Sequence, residues 1–453
     1  MSANKARNSG LDEFLKHVAE MVDKAEKMLY EYPLCDSCLG RFFSKYGLGL
    51  SNWERGRTLK TLLAMKLYED YISGKASEER LRRLGVNANA GVLSMYTKLF
   101  GLAGATPREC YVCRNAYTRD LILKIANDVC SKISEYGAKS FLIGVALDKE
   151  IASRELELAT KYGLSAAESI KREIKREVGK AAKELCNIEP DFANPDVVAI
   201  INLNADFTYS VRIEASPILL KGVYWKLGRR VSHVPWYTKA GTRKYPLSIQ
   251  ESIEAALKDV FKAKEVVIHA AGREDVDARM VGTGRPLVIE VKEPKERLLD
   301  IEYLNTVLAE KLASSPVKAQ VTSPSTRKDV RLLKELSKKK RKAYRLLVYS
   351  PHAPISRDEV ARLEEFFRDV VIRQLTPQRV LRRKKERERR RRVHALKVLQ
   401  ITPRLVEVLI YCDGGLYVKE LVHCDEGRTS PCLAELLNKV LVPLEIDVVK
   451  VEE

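Results

Sequence analysis

The chain has 453 residues, enough for two or three domains, and 45% of them are hydrophobic, enough for real cores. Lys and Arg number 80 against 61 Asp and Glu, a formal charge of +19 that favours a polyanionic partner. No apolar run approaches bilayer-spanning length and the start, MSANKARNSG, has no secretory h-region, so a soluble cytoplasmic protein without membrane contact is expected.

Residues 11–30 carry Leu11, Phe14, Leu15, Val18, Met21, Val22, Ala25 and Leu29 at helical spacing, which predicts an amphipathic helix. It leads into YPLCDSCLGRFF (32–43), a stretch that reads as helical to about 105, and ECYVCRNAY (109–117). From about 119 to 245 the pattern is mixed. FLIGVAL (141–147), DVVAIINL (196–203) and TYSVRIE (208–214) predict strands, and ESIKREIKREVGKAAKELC (168–186) predicts a helix. KGVYWKLGRR (221–230) interleaves basic and aromatic residues, and a connector follows, so the main boundary is placed near 245.

Beyond it, SIQESIEAALKDVF (248–261) predicts a helix and EVVIHA (265–270) a strand. AGREDVDARMVGTGRP (271–286) comes next, then strands LVIEV (287–291) and KAYRLLVYS (342–350). SRDEVARLEEFF (356–367) predicts a helix with a Ser356/Glu359 capping box. LVEVLIYC (405–412) and LYVKELVH (416–423) read as strands joined by a turn at Asp413-Gly414-Gly415. The whole is an α/β (α+β) pattern.

The positive charge is clustered. RRKKERERRRR (382–392) holds nine basic residues in eleven, and KKKRK covers 338–342. Such runs suit phosphates; a solvated helix face, or an arm that orders on a partner, is the alternative. Only five glutamines, among many Glu, Lys and Arg, lean toward a thermophile.

Nine cysteines, an odd number with no export signal, argue against a disulfide framework. Cys35-x-x-Cys38 and Cys110-x-x-Cys113 form two thiolate pairs, which predicts one structural zinc ion with four Cys ligands; a redox pair is the alternative. Cys130, Cys186, Cys412, Cys424 and Cys432 lack such spacing and are expected in the core.

The loop after EVVIHA puts Asp275 between Arg273 and Arg279. Those cations could lower its pKa and leave a carboxylate ready as nucleophile or base, or the loop could be a structural acidic turn. GTGRP lacks a complete phosphate-loop pattern, and Asp275 with Asp277 has no evident third metal ligand.

Gly272-Arg273-Glu274-Asp275 resembles the GR-x-D segment of pseudouridine synthases, and with the trailing GTGRP it resembles the archaeal and eukaryotic Pus-ten branch of tRNA synthases. SFLIGVAL with the ESIK-x-x-I helix, KGVYWKLGRR, VPW (234–236), QLTPQRVLRR (374–383) and GLYVKELVHCDEGRT (415–429) resemble other segments of that family, in order. Two departures stand out. Leu416 replaces Thr, and Cys424 stands where Gly is usual, which strains the loop if that position needs positive φ.

The resemblance implies an isomerase that converts uridine to pseudouridine in the tRNA T-loop, at positions 54 and 55 or one of them, without an organic cofactor. It implies that Asp275 is the catalytic carboxylate, attacking C1′ or taking the 2′ proton of a flipped nucleotide. Arg273 would hold the nucleotide's place or its phosphate, Tyr344 would stack on the base, Lys419 would pair with Asp275, and Leu444 would form an apolar floor. It further implies a zinc- and THUMP-like tRNA-binding region at 1–245 and a catalytic domain at 246–453 with a mixed, largely antiparallel sheet. A monomer is expected. A non-catalytic tRNA-binding protein with the same fold is the alternative.

Overall fold

The computed structural model describes residues 2–88, 101, 105–164, 167–297, 299–336, 340–381 and 384–452, without the side chains of 2–12, 14, 334 and 336. Its contacts divide the chain into two compact units, Met1–Glu214 and Ala215–Glu453.

The first unit opens with helices Ser2–Glu31, Asp36–Phe42, Asn52–Ile72 and Glu78–Asn87. The long first helix buries Val22, Ala25, Met28 and Leu29, an i, i+3, i+4 stripe. Asp36–Phe42 and Asn52–Ile72 cross backbone to backbone at two glycines. A Cβ on Gly40 would lie 1.8 Å from the Asn52 carbonyl oxygen, and one on Gly56 1.9 Å from that of Asp36. Strands β1 (Ser140–Leu147), β2 (Glu189–Pro190), β3 (Val197–Leu203) and β4 (Tyr209–Ala215) then form a sheet in the order β2-β1-β3-β4. β1 runs parallel to both its neighbours, as crossover helices between strands require. Helices Arg119–Ser134 and Ile170–Cys186 accompany this sheet. Their apolar stripes, Ile122, Ile125 and Val129 on one and Ile170, Ile174 and Val178 on the other, are fully buried.

The second unit contains strands β5 (Ile218–Lys226), β6 (Val231–Ser232), β7 (Leu247–Ser248), β8 (Glu265–Ala270), β9 (Arg279–Lys292), β10 (Val317–Pro324), β11 (Lys342–Tyr349), β12 (Val370–Gln374), β13 (Arg389–Thr402), β14 (Leu405–Cys412), β15 (Thr429–Ser430) and β16 (Val442–Val451). Ten of them make one sheet in the order β10-β5-β9-β16-β11-β14-β13-β12-β15, with β8 also pairing β9. Every pair but β9–β16 is antiparallel, the mixed, largely antiparallel sheet that was expected. Two cores lie along it. One gathers helices Ile249–Leu257 and Ile301–Lys311 over β5, β8, β9 and β10; the other gathers helices Arg357–Phe366, Val418–His423 and Leu433–Leu437 over β11, β13 and β14. Tyr344 packs against both.

Several features differ from the sequence reading. The two compact units divide at 214/215 rather than near 245, because Ile218–Lys226 pairs with β9 and β10. KGVYWKLGRR and VPW therefore belong to the C-terminal unit. LYVKELVH is not a strand: Val418–His423 is a helix, burying Val418, Leu421 and Val422 at i, i+3, i+4. The basic run is not a helix face where it is described, since Arg389–Arg392 opens β13 against β12; Arg382, Arg383, Lys338 and Lys339 lie outside the described residues. Four of the five unpaired-looking cysteines form disulfides, Cys130–Cys186 and Cys424–Cys432, and only Cys412 remains a free buried thiol. Spacing in sequence carries no sign of pairs closed by the fold.

Candidate active site and metal centre

The loop from Ala271 to Ala278 joins β8 to β9, with both end residues buried and Gly272 in the left-handed region at φ +80. Between them the side chains divide. Glu274 turns inward, its side chain 2% exposed, onto Arg285 at 2.9 Å, the Tyr224 hydroxyl at 3.0 Å and Lys226 at 3.8 Å. Burial pushes its carboxyl up, but Arg285 and Lys226 outweigh it and hold it below the usual carboxylate range. Arg285 also donates to the Ala271 carbonyl at 3.0 Å. Buried Lys226 donates to the carbonyls of Asp275 at 2.9 Å and Val276 at 3.3 Å. The loop backbone is thus gripped from below by one carboxylate and two cations of β5 and β9.

Asp275 and Asp277 face outward. Arg379 Nη1 lies 2.9 Å from the Asp275 carboxylate, while its Nε lies 2.6 Å from Glu420, whose side chain is 1% exposed. Burial disfavours the Arg379 charge, and Glu420 with Asp275 more than restores it. Lys419 sits 2.5 Å from Asp277 and 3.7 Å from Asp275. Burial raises the Asp277 carboxyl, and the Lys419 hydrogen bond outweighs it and lowers it. The expected Lys419–Asp275 pair is therefore present as the longer arm of a network whose short contact to Asp275 comes from Arg379.

The flanking arginines do not hold Asp275. Arg279 binds Asp447 at 2.7 Å, where Arg229 and Arg345 also converge at 3.2 and 2.6 Å. Burial raises the Asp447 carboxyl, but these arginines outweigh it and bring it to about 2. Arg273 is exposed and makes no ion pair among the described residues. Half-buried Tyr344 lies close enough for the Asp275 charge to act on its phenol, whose pKa rises chiefly through burial. Leu444 is 53% exposed at a break in the β11–β16 register and belongs to neither core. The buried apolar residues of that strand are Ile446, Val448 and Val451, and Val448 is paired with Tyr344.

GTGRP is part of β9, not a phosphate loop. A Cβ on Gly282 would meet the Val449 carbonyl oxygen at 2.0 Å, and Gly284 lies under the Trp225 ring. Trp225 donates to the Gly282 carbonyl at 2.9 Å.

In the N-terminal unit, the Sγ atoms of Cys35, Cys38, Cys110 and Cys113 all lie within 4.8 Å of one another, and three of the four residues are buried. Tetrahedral sulfur ligands at about 2.3 Å from a metal are about 3.8 Å apart, so the set fits one ion. Cys35 caps helix Asp36–Phe42, and Tyr111 N donates to the Pro33 carbonyl at 2.7 Å, joining the two cysteine turns. Arg41, fully buried, donates to Cys38 Sγ at 3.1 Å and to Glu173 at 2.8 Å, an outer contact suited to a thiolate ligand.

Residues 219–452 match the family model described as Pus10, C-terminal, and residues 125–202 match that described as Pus10 THUMP domain, archaeal. The chain belongs to the Pus10 family. A Thermosphaera aggregans protein named tRNA pseudouridine synthase Pus10 is 49% identical over 433 residues, 96% of this chain and 97% of that one. Its namesakes from Ignisphaera aggregans and Thermofilum pendens are 40% and 36% identical, each over at least 95% of this chain and 96% or more of their own. Among solved structures, a chain of a Cbf5-Nop10-Gar1 complex is similar over 52% of this chain and 48% of its own, at 16% identity and a TM-score of 0.28, too loose to add to the assignment. The Pus10 C-terminal match contains the whole Asp275 network, and the THUMP match lies in the N-terminal unit.

Sequence reasoning missed Arg379, Glu420, Glu274, Tyr224, Lys226 and Arg285. Arg379 and Glu420 were within quoted segments, QLTPQRVLRR and GLYVKELVH, but nothing local shows that they meet. Cys424 does adopt positive φ, +71, followed by Asp425, Glu426 and Gly427 at +49, +56 and +80.

Proposed function

We infer that this chain is a tRNA pseudouridine synthase, an isomerase acting on uridine of the T-loop with Asp275 as its essential carboxylate. The observation that carries the reading is the division of the GR-x-D loop. Glu274 is spent on holding the backbone, and Asp275 is left 46% exposed with the Arg379 guanidinium 2.9 Å from its carboxylate. Isomerisation breaks the N1–C1′ bond, turns the uracil and joins C5 to C1′; a carboxylate serves by attacking C1′ or by accepting the 2′ proton. Arg379 and Lys419, 2.9 and 3.7 Å from it, hold it in place. Tyr344, at the seam of the two cores, would stack on the flipped base. The apolar floor expected from Leu444 is better served by Ile446 and Val448, buried on Tyr344's side of the sheet. Arg273, exposed and without a described partner, faces the RNA.

The four cysteines hold one structural zinc, closed by four thiolates, and Arg41 stabilises the charge at Cys38. The first unit, with its THUMP domain, docks the tRNA. The Asp275 network is contributed by one chain, so a monomer suffices.

The test is tritium release from C5-labelled uridine in an unmodified tRNA transcript, wild type against Asp275→Ala. Release by wild type and none by the variant, with equal tRNA binding, establishes the reading. No release by a folded, tRNA-binding wild type overturns it in favour of a binding protein.

A further inference from the structure

Lys342 opens β11, two residues before Tyr344 and on the same face of the strand, and only 7% of it is exposed. Its register partners are Cys412 and Val451. Its ammonium makes no hydrogen bond or ion pair among the described residues. It lies beside the catalytic loop: a Cβ on Gly272 would be 3.7 Å from Lys342 Nζ and 3.6 Å from Arg285 Nη1. Since Gly272 is exposed and carries no Cβ, no side chain from that position covers the two cations. Arg285 already spends its charge on Glu274. Lys342 does not, and neither does exposed Arg273, the next residue after that glycine.

A buried charge without a counter-ion is costly, and proteins keep one where something else supplies the opposite charge. The groups on the adjoining elements supply it only in part, from Glu274 at a distance. Glu274 is committed to Arg285, the Cys412 thiol is pushed up to about 12 by burial, and the Tyr344 phenol is pushed up likewise. Val451 has no charge. The missing anion is external.

We propose that Lys342 is the buried partner of an RNA phosphodiester seated beside Gly272, and that it fixes the nucleotide on which Asp275 acts. The proposal rests on the synthase reading above and adds a substrate-binding residue to it. In the free protein, burial first and Arg285 second lower the Lys342 pKa to about 8. Glu274, Cys412 and Tyr344 are silent between pH 7 and 9, so Lys342 is the group beside Gly272 that titrates there. A bound phosphodiester restores its charge.

The test uses the full chain and the tritium assay. For wild type, kcat/KM should fall above pH about 8, because it reports the free enzyme, while kcat holds. Lys342→Arg, which stays charged, should lose that alkaline limb. Lys342→Met should raise KM about tenfold or more with kcat little changed, and should melt above wild type, since an unpaired buried cation has been removed. Replacing the phosphodiester flanking the target uridine with a neutral methylphosphonate should weaken wild type but add nothing to Lys342→Met. A Lys342→Met variant that melts below wild type and keeps its KM overturns the proposal, as does a methylphosphonate effect equal in both proteins. These outcomes are separate from the parent reading, which stands or falls with wild type against Asp275→Ala.

Discussion

Glu274→Gln tests the claim that the loop from Ala271 to Ala278 is anchored by a buried charge. The substitution keeps the shape of the side chain and an oxygen for Arg285 and Tyr224 but removes the negative charge. Arg285 and Lys226, each 1% exposed, then face each other without a counter-ion. Breaking a buried pair from one side costs about 3–5 kcal/mol, and Gln, by retaining hydrogen bonds, should fall near the lower end. For a unit the size of Ala215–Glu453, about 2–4 °C per kcal/mol converts this to a melting-point loss of about 6–12 °C. Glu274→Ala, which also leaves a cavity, should lose more. The pH dependence has a definite sign. The folded pKa of Glu274 lies below its ordinary value of 4.5, so its contribution is complete above that pH and is lost as pH falls through the folded value. The gap between wild type and Glu274→Gln should therefore be widest at neutral pH and shrink below about pH 4.5. Calorimetry across pH reads both quantities. A melting shift under about 2 °C at pH 7 would refute the anchoring argument, since it converts to about 1 kcal/mol at most.

Mass spectrometry should find about one zinc per chain, and Cys38→Ser should lower both metal content and the melting point of the N-terminal unit; a fully folded metal-free protein would remove the site. Arg390→Gln, at an exposed arginine whose nearest carboxylate contact is 3.5 Å, should reduce the salt slope of tRNA binding by about 0.7–0.9 if it meets one phosphate; an unchanged slope excludes that contact. Cys130 and Cys186 are 56 residues apart, and a loop of that length corresponds to about 4 kcal/mol of chain-entropy stabilisation. Reductant should accordingly lower the first unit's melting point, and an unaffected melt would mean that the pair is not closed in solution.

What could be read from the sequence was what is local. The CxxC pairs, the long first helix, the Ser356 capping box and most strands announce themselves within a dozen residues, and each is in place. The eight residues of LYVKELVH fit two periods at once. Leu416, Val418 and Glu420 alternate as in a strand, while Val418, Leu421 and Val422 follow a helix, and a short run cannot decide between them. The packed core decided, and buried Glu420 shows why. As a strand residue it would have been a misplaced charge; on the helix it faces Arg379. Likewise, the partners of strand Ile218–Lys226 are β9 and β10, some sixty and a hundred residues onward, so its unit could not be inferred locally.

The loop from Ala271 to Ala278 shows the same limit at the level of charge. By spacing, Arg273 and Arg279 looked like the cations that hold Asp275. Glu274 and Asp275 turn to opposite sides, Asp277 lies in a turn that Ala278 N closes on the Asp275 carbonyl, and the fold then matches each carboxylate to a distant cation: Glu274 to Arg285, Asp275 to Arg379, Asp277 to Lys419, and Arg279 itself to Asp447. Three carboxylates within four residues acquire different tasks because one is enclosed and two are not. The enclosed one fixes the backbone, which leaves an exposed neighbour facing outward on a held loop. A basic protein keeps an aspartate among arginines for that reason. The surplus charge suits a polyanionic substrate, and cations drawn from remote helices, Arg379 and Lys419, hold this carboxylate in place.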